Sequence, residues 1–365
     1  MAGGEKFDRM ARAAFEPMVA AAAGDARKLA GLAGMAQRVG LSSRVYALAR
    51  EAQALAPDDA DVQIQTRALI AASVPAWHFT MVRDEARNTD YQAAIERAVG
   101  PETRVLDIGS GTGLLAMMAA RAGAQSVVSC EMTPAIADAA RDIVALNGHA
   151  DRVRVIGKKS TELDPEADLG GRVDLLVSEI IAGNLLGEGM LPVMTDAVDR
   201  LLAPGGRMIP EAGHVVVSLV DLADWGRRAM GDVAGFDMRP FNRLQNPVRK
   251  IGTGNKGITL RGAAADMFGF DFTTGGPWRA RTNSVELIAD GGKVNGVIQW
   301  IRLRLDAETV HENRPVAGAM SSWSALVTLF DREATPPAGT RIRVDGAHDS
   351  NSVRIWVDGA QFAGM

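Results

Sequence analysis

Val105-Leu106-Asp107-Ile108-Gly109-Ser110-Gly111-Thr112-Gly113 reads as an apolar strand that runs into a glycine-rich loop. Gly-x-Gly-x-Gly at a strand's end lets backbone approach a ligand at the N-terminus of the following helix. The pattern around it alternates. Strand-like runs cover Arg104–Ile108, Ser126–Glu131, Val153–Ile156, Val173–Ser178 and Gly206–Ile209. Helix-like runs cover Leu114–Ala122, Pro134–Leu146 and Glu188–Leu202. Pro134 suits a first helical turn, and Asn147-Gly148 a helix stop. Such alternation predicts an α/β, doubly wound, Rossmann-like domain with a parallel sheet.

The glycine loop alone is shared by nicotinamide, flavin and S-adenosylmethionine (SAM) proteins. Three residues favour SAM over NAD. Asp107 stands just before the glycines, where it repels a pyrophosphate and attracts a methionine ammonium. Glu131 ends the second strand, where a carboxylate can accept both ribose hydroxyls. Ser160 and Thr161, after the third strand, can hydrogen-bond an adenine edge. The plainer readings are a helix N-cap for Asp107 and a solvated strand end for Glu131.

Downstream, Ser178-Glu179-Ile180-Ile181-Ala182-Gly183-Asn184-Leu185-Leu186-Gly187-Glu188-Gly189-Met190 carries two carboxylates in a hairpin-like loop. Glu179 and Glu188 can hold one guanidinium through paired charge-assisted hydrogen bonds. They can also be a strand-end carboxylate and a helix N-terminal charge. A cofactor loop beside a guanidinium clamp predicts transfer of a group onto arginine.

The chain of 365 residues has 47% hydrophobic and 23% charged residues, enough for two or three ordinary globular domains. Its formal net charge of −4 offers no general attraction to nucleic acid or anionic membrane. The only cysteine, Cys130, allows no disulfide framework, and the five histidines have no metal-ligand spacing. No apolar run reaches transmembrane length and no signal peptide is recognisable, so a cytoplasmic protein is expected.

Residues from about 8 to 72 are Ala/Leu-rich with helical period. Val45–Asp61, with its stop at Pro57, looks like the second helix and turn of a tetratricopeptide (TPR) repeat. This segment reads equally as a partner-binding surface or as a structural cap. After Pro210 the runs His214–Val220 and Val297–Leu305 alternate apolar and other residues between Gly/Asp turns, which predicts an antiparallel, barrel-like β domain. Phe236–Thr253 is poorly periodic and reads as a long loop or arm. The expected division is therefore 1–72 helical, 73–210 SAM-binding, and 211–365 an antiparallel, β-barrel-like domain.

On these residues the chain resembles the protein arginine methyltransferase family over about residues 75–345. Trp77–Asn88 is similar to the helix that covers SAM, Val105–Gly113 to the first motif, Ser178–Met190 to the double-glutamate loop, and Leu202–Pro210 to the join into the barrel. Trp77-His78-Phe79 and the helices before it are most similar to the divergent branch with N-terminal TPR repeats. The resemblance implies that Arg87 grips the SAM carboxylate, that Met81 lies beside the sulfonium, that Met190 lies near the adenine, and that Glu179 and Glu188 clamp the substrate arginine. It also implies a head-to-tail homodimer acting on proteins with exposed arginines. Two departures stand out. Ser321-Ser322-Trp323 replaces the family's Thr-His-Trp, so the histidine that would pair with the aspartate at Asp84 is missing. Ala182 stands where divergent members carry an acidic residue.

Two other classes compete with a SAM-dependent protein-arginine N-methyltransferase. One is a small-molecule SAM methyltransferase, which rarely needs a C-terminal β domain. The other is a non-catalytic interaction protein, which has no reason to keep Arg87, Glu131, Glu179 and Glu188 together.

Overall fold

The computed structural model describes residues 15–224 and 230–362; the predicted start of the helical segment, near residue 8, lies outside them. Helical residues 15–21 (α1) precede α2 (Ala26–Arg38), α3 (Ser42–Leu55) and α4 (Ala60–Ala72). Their apolar faces close a core of their own around Leu29, Ala33, Leu48, Ala49 and Val62. The small residues let the helices approach closely, as the composition predicts. Asp59, after the Pro57 stop, caps α4 by accepting from the Asp61 and Val62 amides, and pairs with Arg27 at 2.9 Å. The helices dock on the next layer, where the Tyr46 hydroxyl donates to Asp138 at 2.8 Å.

Next come α5 (Trp77–Val82), α6 (Glu85–Ala98), β1 (Arg104–Ile108), α7 (Leu114–Arg121), β2 (Ser126–Cys130), α8 (Pro134–Leu146), β3 (Val153–Ile156), β4 (Val173–Ser178), α9 (Met190–Asp196) and β5 (Leu202–Ile209). The five strands form a parallel sheet in the order β3-β2-β1-β4-β5. β1 and β4 are buried along nearly their whole length, as strands covered on both faces must be. Chain order reverses between β1 and β4. That switch point opens a crevice at the carboxyl ends of the strands, where open α/β sheets bind their ligands.

Two predicted boundaries move. The helix expected from Glu188 starts at Met190, because Gly189 adopts a left-handed conformation (φ 74°) as its N-cap. The last strand begins at Leu202 rather than Gly206.

The remainder is antiparallel: β6 (Ala212–Leu222), β7 (Asp232–Val233), β8 (Phe236–Asp237), β9 (Val248–Ile251), β10 (Ile258–Leu260), β11 (Ala265–Asp271), β12 (Arg281–Ile288), β13 (Val294–Arg304), β14 (Val310–Glu312), β15 (Ala325–Ala334), β16 (Arg341–His348) and β17 (Val353–Trp356). One sheet runs β10-β6-β13-β15-β9, with β11 also on β6 and β14 on β13, and a second runs β12-β16-β17. The segment expected to be an arm is only partly irregular. β7, β8 and a short helix at Arg239–Leu244 project exposed Phe236, Met238, Phe241 and Leu244, but β9 returns to the main sheet beside β15.

Candidate active site

The glycine loop is tied down by its neighbours. The Gly109 and Ser110 amides both donate to the Cys130 carbonyl at 3.0 Å, so the loop follows the end of β2. Gly109, Gly111 and Gly113 all have positive φ (85°, 51° and 77°), which other residues adopt only with strain. At Gly109 a Cβ would also stand 2.6 Å from the Ile180 side chain. Gly113 caps α7.

A cavity of about 290 Å³ opens above this loop. Of the predicted cofactor residues, Met81, Gly109, Gly111, Glu131, Ser160 and Thr161 line it, together with Trp77, His78, Lys158 and Val193. Glu131 is 7% exposed rather than solvated. Its two oxygens accept from the Gly111 amide at 3.2 Å and the Thr133 amide at 2.8 Å. The carboxylate is thereby held rigidly, with lone pairs left for a ligand.

Four predicted residues stand elsewhere. Gly113 is behind the loop, against Val144. Met190 is fully buried and does not line the cavity; Val193, one helical turn further on, does. Asp107 is buried beneath the loop and is not a helix N-cap. Its Oδ2 lies 2.7 Å from the Ser129 hydroxyl, which lies the same distance from Ser110 Oγ. Since Ser129 carries one proton, it donates to Asp107 and accepts from Ser110. Burial pushes the Asp107 carboxyl up to about 6. Arg87 does not line the cavity either, but pairs with Glu179 at 2.8 Å, both side chains 3% exposed. Its position follows from Asp84, which caps α6 by accepting from the Arg87 amide at 3.1 Å. The Arg87 guanidinium lies over the Tyr91 ring, 5.2 Å from its centroid, and the Tyr91 hydroxyl donates to the Ser178 carbonyl at 3.2 Å.

Burial pushes the Glu179 carboxyl up to about 7, against the downward pull of Arg87, and the Glu188 charge adds to the rise. Glu188 keeps solvent contact at the rim, and its partial burial raises its carboxyl too. Arg87 Nε, Asp107 Oδ1 and Glu179 Oε1 are buried with no protein partner.

A second cavity, of about 390 Å³, lies on the barrel side. Trp77, Met81, Glu179 and Glu188 line both cavities and form the wall between them. Beyond that wall the second cavity is bounded by Ile181–Asn184 and Gly187 of the loop between the two glutamates, Ser322–Ser324, Lys250 and Leu326.

The barrel holds the Ser178–Met190 loop through contacts that no local sequence pattern announces. Trp323 Nε1 donates to the Ile181 carbonyl at 2.7 Å. Gly183 approaches the Ser324 backbone so closely that a Cβ would stand 2.5 Å from its carbonyl oxygen. Asp84, left without the family's histidine, accepts from the Ser322 amide at 2.7 Å. A different His–Asp pair supports Trp323: His311 Nδ1 lies 2.7 Å from Asp90, and the His311 and Trp323 rings are 5.5 Å apart. His311, Asp90 and Lys250 were not among the predicted site residues.

Residues 92–211 match the family described as ribosomal protein L11 methyltransferase (PrmA). A relative from Streptomyces achromogenes subsp. streptozoticus, named arginine N(omega)-methyltransferase, is 36% identical over 326 residues, covering 87% of this chain and 89% of that protein. Protein arginine N-methyltransferase 7 of Oryza sativa subsp. japonica is 34% identical over 252 residues. That match covers 63% of this chain but only 35% of the rice protein. Among solved structures, the Trypanosoma brucei PRMT1 enzyme-prozyme heterotetrameric complex with AdoHcy superposes with a TM-score of 0.67 at 25% identity, over 79% of this chain and 95% of that one. With a near-full-length relative at this identity, and a cofactor crevice joined to a barrel in the same arrangement, the chain belongs to the protein arginine methyltransferase family and is a SAM-dependent arginine methyltransferase.

Proposed function

We propose that Glu179 and Glu188 clamp the guanidinium of an arginine in a protein substrate while a terminal nitrogen takes the methyl group of SAM. The observation that carries this reading is the shared wall: both glutamates face the cofactor cavity and the substrate cavity at once. The residues fit SAM. Glu131 presents a fixed carboxylate, Ser160 and Thr161 present hydroxyls, and the buried Arg87 Nε and Asp107 Oδ1 have hydrogen-bonding capacity that no protein group uses. In this reading Arg87 has two tasks, holding Glu179 and offering its unpartnered Nε–H to the cofactor carboxylate. Asp107 acts on the methionine ammonium from beneath the loop. Gly113 shapes the backbone without contact, and Met190 backs the adenine end through α9.

When bound, SAM supplies an electrophilic sulfonium methyl. The protein's task is then positioning and charge. Protonated arginine spreads its charge over three nitrogens. Two carboxylates draw that charge toward the nitrogens they contact, which leaves the remaining terminal nitrogen more nucleophilic. Their field also offsets the repulsion between guanidinium and sulfonium. As the nitrogen alkylates it gives up one proton to water at the open rim beside Glu188, so the missing histidine is no obstacle.

The experiment is the pair Glu179→Gln and Glu188→Gln, read by SAM calorimetry and by methyl transfer. Transfer should fall at least ~100-fold, the scale of about 2.7 kcal/mol of transition-state stabilisation. For Glu188→Gln, SAM affinity should hold. Near-wild-type turnover in both variants would exclude the clamp.

The wider reading divides the chain at about residues 72 and 210 into a TPR-like helical segment, a SAM-binding domain and a barrel. It also includes a cytoplasmic homodimer joined through the exposed Phe236, Phe241 and Leu244 of the arm, with no nucleic-acid partner. One observation favours a second acceptor: the relative that matches nearly the whole chain is named for arginine itself. Free arginine is therefore the alternative to a protein chain.

A further inference from the structure

Lys250 lies on β9 in register with Leu326 of β15, and both side chains line the substrate cavity. It is the only cationic residue lining that cavity among the described residues. No described carboxylate lies within 4.0 Å of its ammonium, whereas three of the five other described lysines are paired: Lys28 with Asp25, Lys158 with Asp168, and Lys293 with Asp221 and Glu333. Among the described residues, the only acidic ones lining the cavity are Glu179 and Glu188, on the wall shared with the cofactor. The rest of the lining is neutral, including Ile181, Ala182, Asn184 and Trp323. The cavity is thus polarised, with two carboxylates on the cofactor side and one ammonium on the barrel side.

We propose that Lys250 reads a carboxylate on the acceptor, so that the substrate class is an arginine with a carboxylate close to its guanidinium arm. This inference rests on the arginine-transfer reading and narrows it. Charge complementarity selects partners by attracting the matching sign and repelling the like sign. A ligand with a guanidinium at one end and a carboxylate at the other matches both ends of this cavity. An arginine flanked by further lysines or arginines brings a second cation toward Lys250 and finds no third carboxylate to receive it. The cavity volume of about 390 Å³ falls within the range of small-molecule sites, about 300–1,000 Å³. A single amino acid is therefore an adequate occupant. Two sources supply the required chemistry: the α-carboxylate of free arginine, or an acidic residue next to arginine in a peptide.

The test compares methyl transfer to matched acceptors. L-arginine is set against agmatine, which keeps the guanidinium and lacks the carboxylate. A blocked Gly-Arg-Asp-Gly peptide is set against Gly-Arg-Asn-Gly, with an arginine-rich protein as a further acceptor. The wild type should show at least about tenfold higher kcat/KM for the carboxylate-bearing member of one pair, and that pair identifies the source. Lys250→Met should bring the ratio toward one, and Lys250→Arg should largely keep it. SAM calorimetry on each variant shows that the fold is intact. Equal use of both members of each pair by the wild type overturns the inference, as does a preference that survives in Lys250→Met. If none of these compounds accepts a methyl group, the arginine-transfer reading fails, an outcome distinct from the loss of discrimination alone.

Discussion

Arg87 and Glu179 form an ion pair that is almost wholly buried. Such a pair is weak support for stability as a whole, yet removing one partner is expensive, about 3–5 kcal/mol, because the other charge stays buried alone. Arg87→Met should therefore destabilise the protein strongly, with a dependence on pH. The Glu179 carboxyl sits at about 7 in the folded protein against 4.5 as a free group. A raised carboxyl means that the folded state binds more protons than the unfolded state between those values. The associated stability is full below about 4.5 and is lost as pH rises through about 7. Without Arg87 the carboxyl rises further, so the melting-temperature gap between wild type and Arg87→Met should widen from pH 6 to pH 8.5. A gap that is constant across that range would show that Glu179 does not titrate there. The same group predicts catalytic behaviour: kcat/KM for the acceptor should rise with pH through about 7 as the clamp ionises, and Glu179→Gln should abolish that inflection. At this scale the sequence singled out both carboxylates, and the fold sets them on one wall. The sequence did not show that Arg87 pairs with Glu179, since the two lie 92 positions apart and only the fold of α6 under β4 brings them together.

The clamp loop is an element with little regular structure of its own. Its form comes from Leu185 at φ 72°, an isolated bridge between Ala182 and Leu185, and the Asn184 side chain accepting from the Gly187 amide at 2.8 Å. Its placement comes from the barrel, through Trp323. Trp323→Phe keeps the ring but leaves the buried Ile181 carbonyl without its donor, at a cost of about 1–3 kcal/mol. The acceptor KM should rise about tenfold while SAM affinity stays within about twofold, measured by steady-state kinetics and calorimetry. An unchanged acceptor KM would mean that the loop keeps its shape unaided. Gly183→Ala should push the loop from Ser324, because the clash is with backbone that cannot swing aside. Strands β1 to β4 were legible because apolar runs, glycine turns and proline starts are local signals. The tie from Trp323 to Ile181 spans 142 residues and has no local signal. Lys250 was likewise illegible: one lysine in a weakly periodic stretch gains meaning only when β9 pairs with β15 beside the cavity.

Across the whole molecule, the parallel-sheet layer and the antiparallel barrel meet around one wall, and the N-terminal helices pack away from it. The parallel sheet supplies the cofactor crevice, and the barrel fixes the loop that carries Glu179 and Glu188 from the opposite side. Meanwhile α6 joins them, with Arg97 bonded to Asp306 at its far end and Asp84 to Ser322 at its near end. The N-terminal helices close a core of their own and reach the sheet domain through Tyr46 and Asp138. Deleting residues 1–70 should therefore leave SAM binding largely intact. If these helices recruit a partner, methylation of an intact protein should fall far more than that of a short acceptor, and equal losses would make them a structural cap. Alternation of strand and helix made the order of the bodies readable in advance. The wall between the cavities was not readable, because it is assembled from α5 and the Ser178–Met190 loop, which only the fold brings together. In the proposed mechanism this wall holds a guanidinium for methyl transfer. Incubating the protein with methyl-labelled SAM and arginine acceptors, and locating the label by mass spectrometry, tests it most directly. The label is predicted on a terminal guanidinium nitrogen in the wild type, with at least ~100-fold less in Glu188→Gln. Label on lysine, or undiminished label in Glu188→Gln, would contradict it.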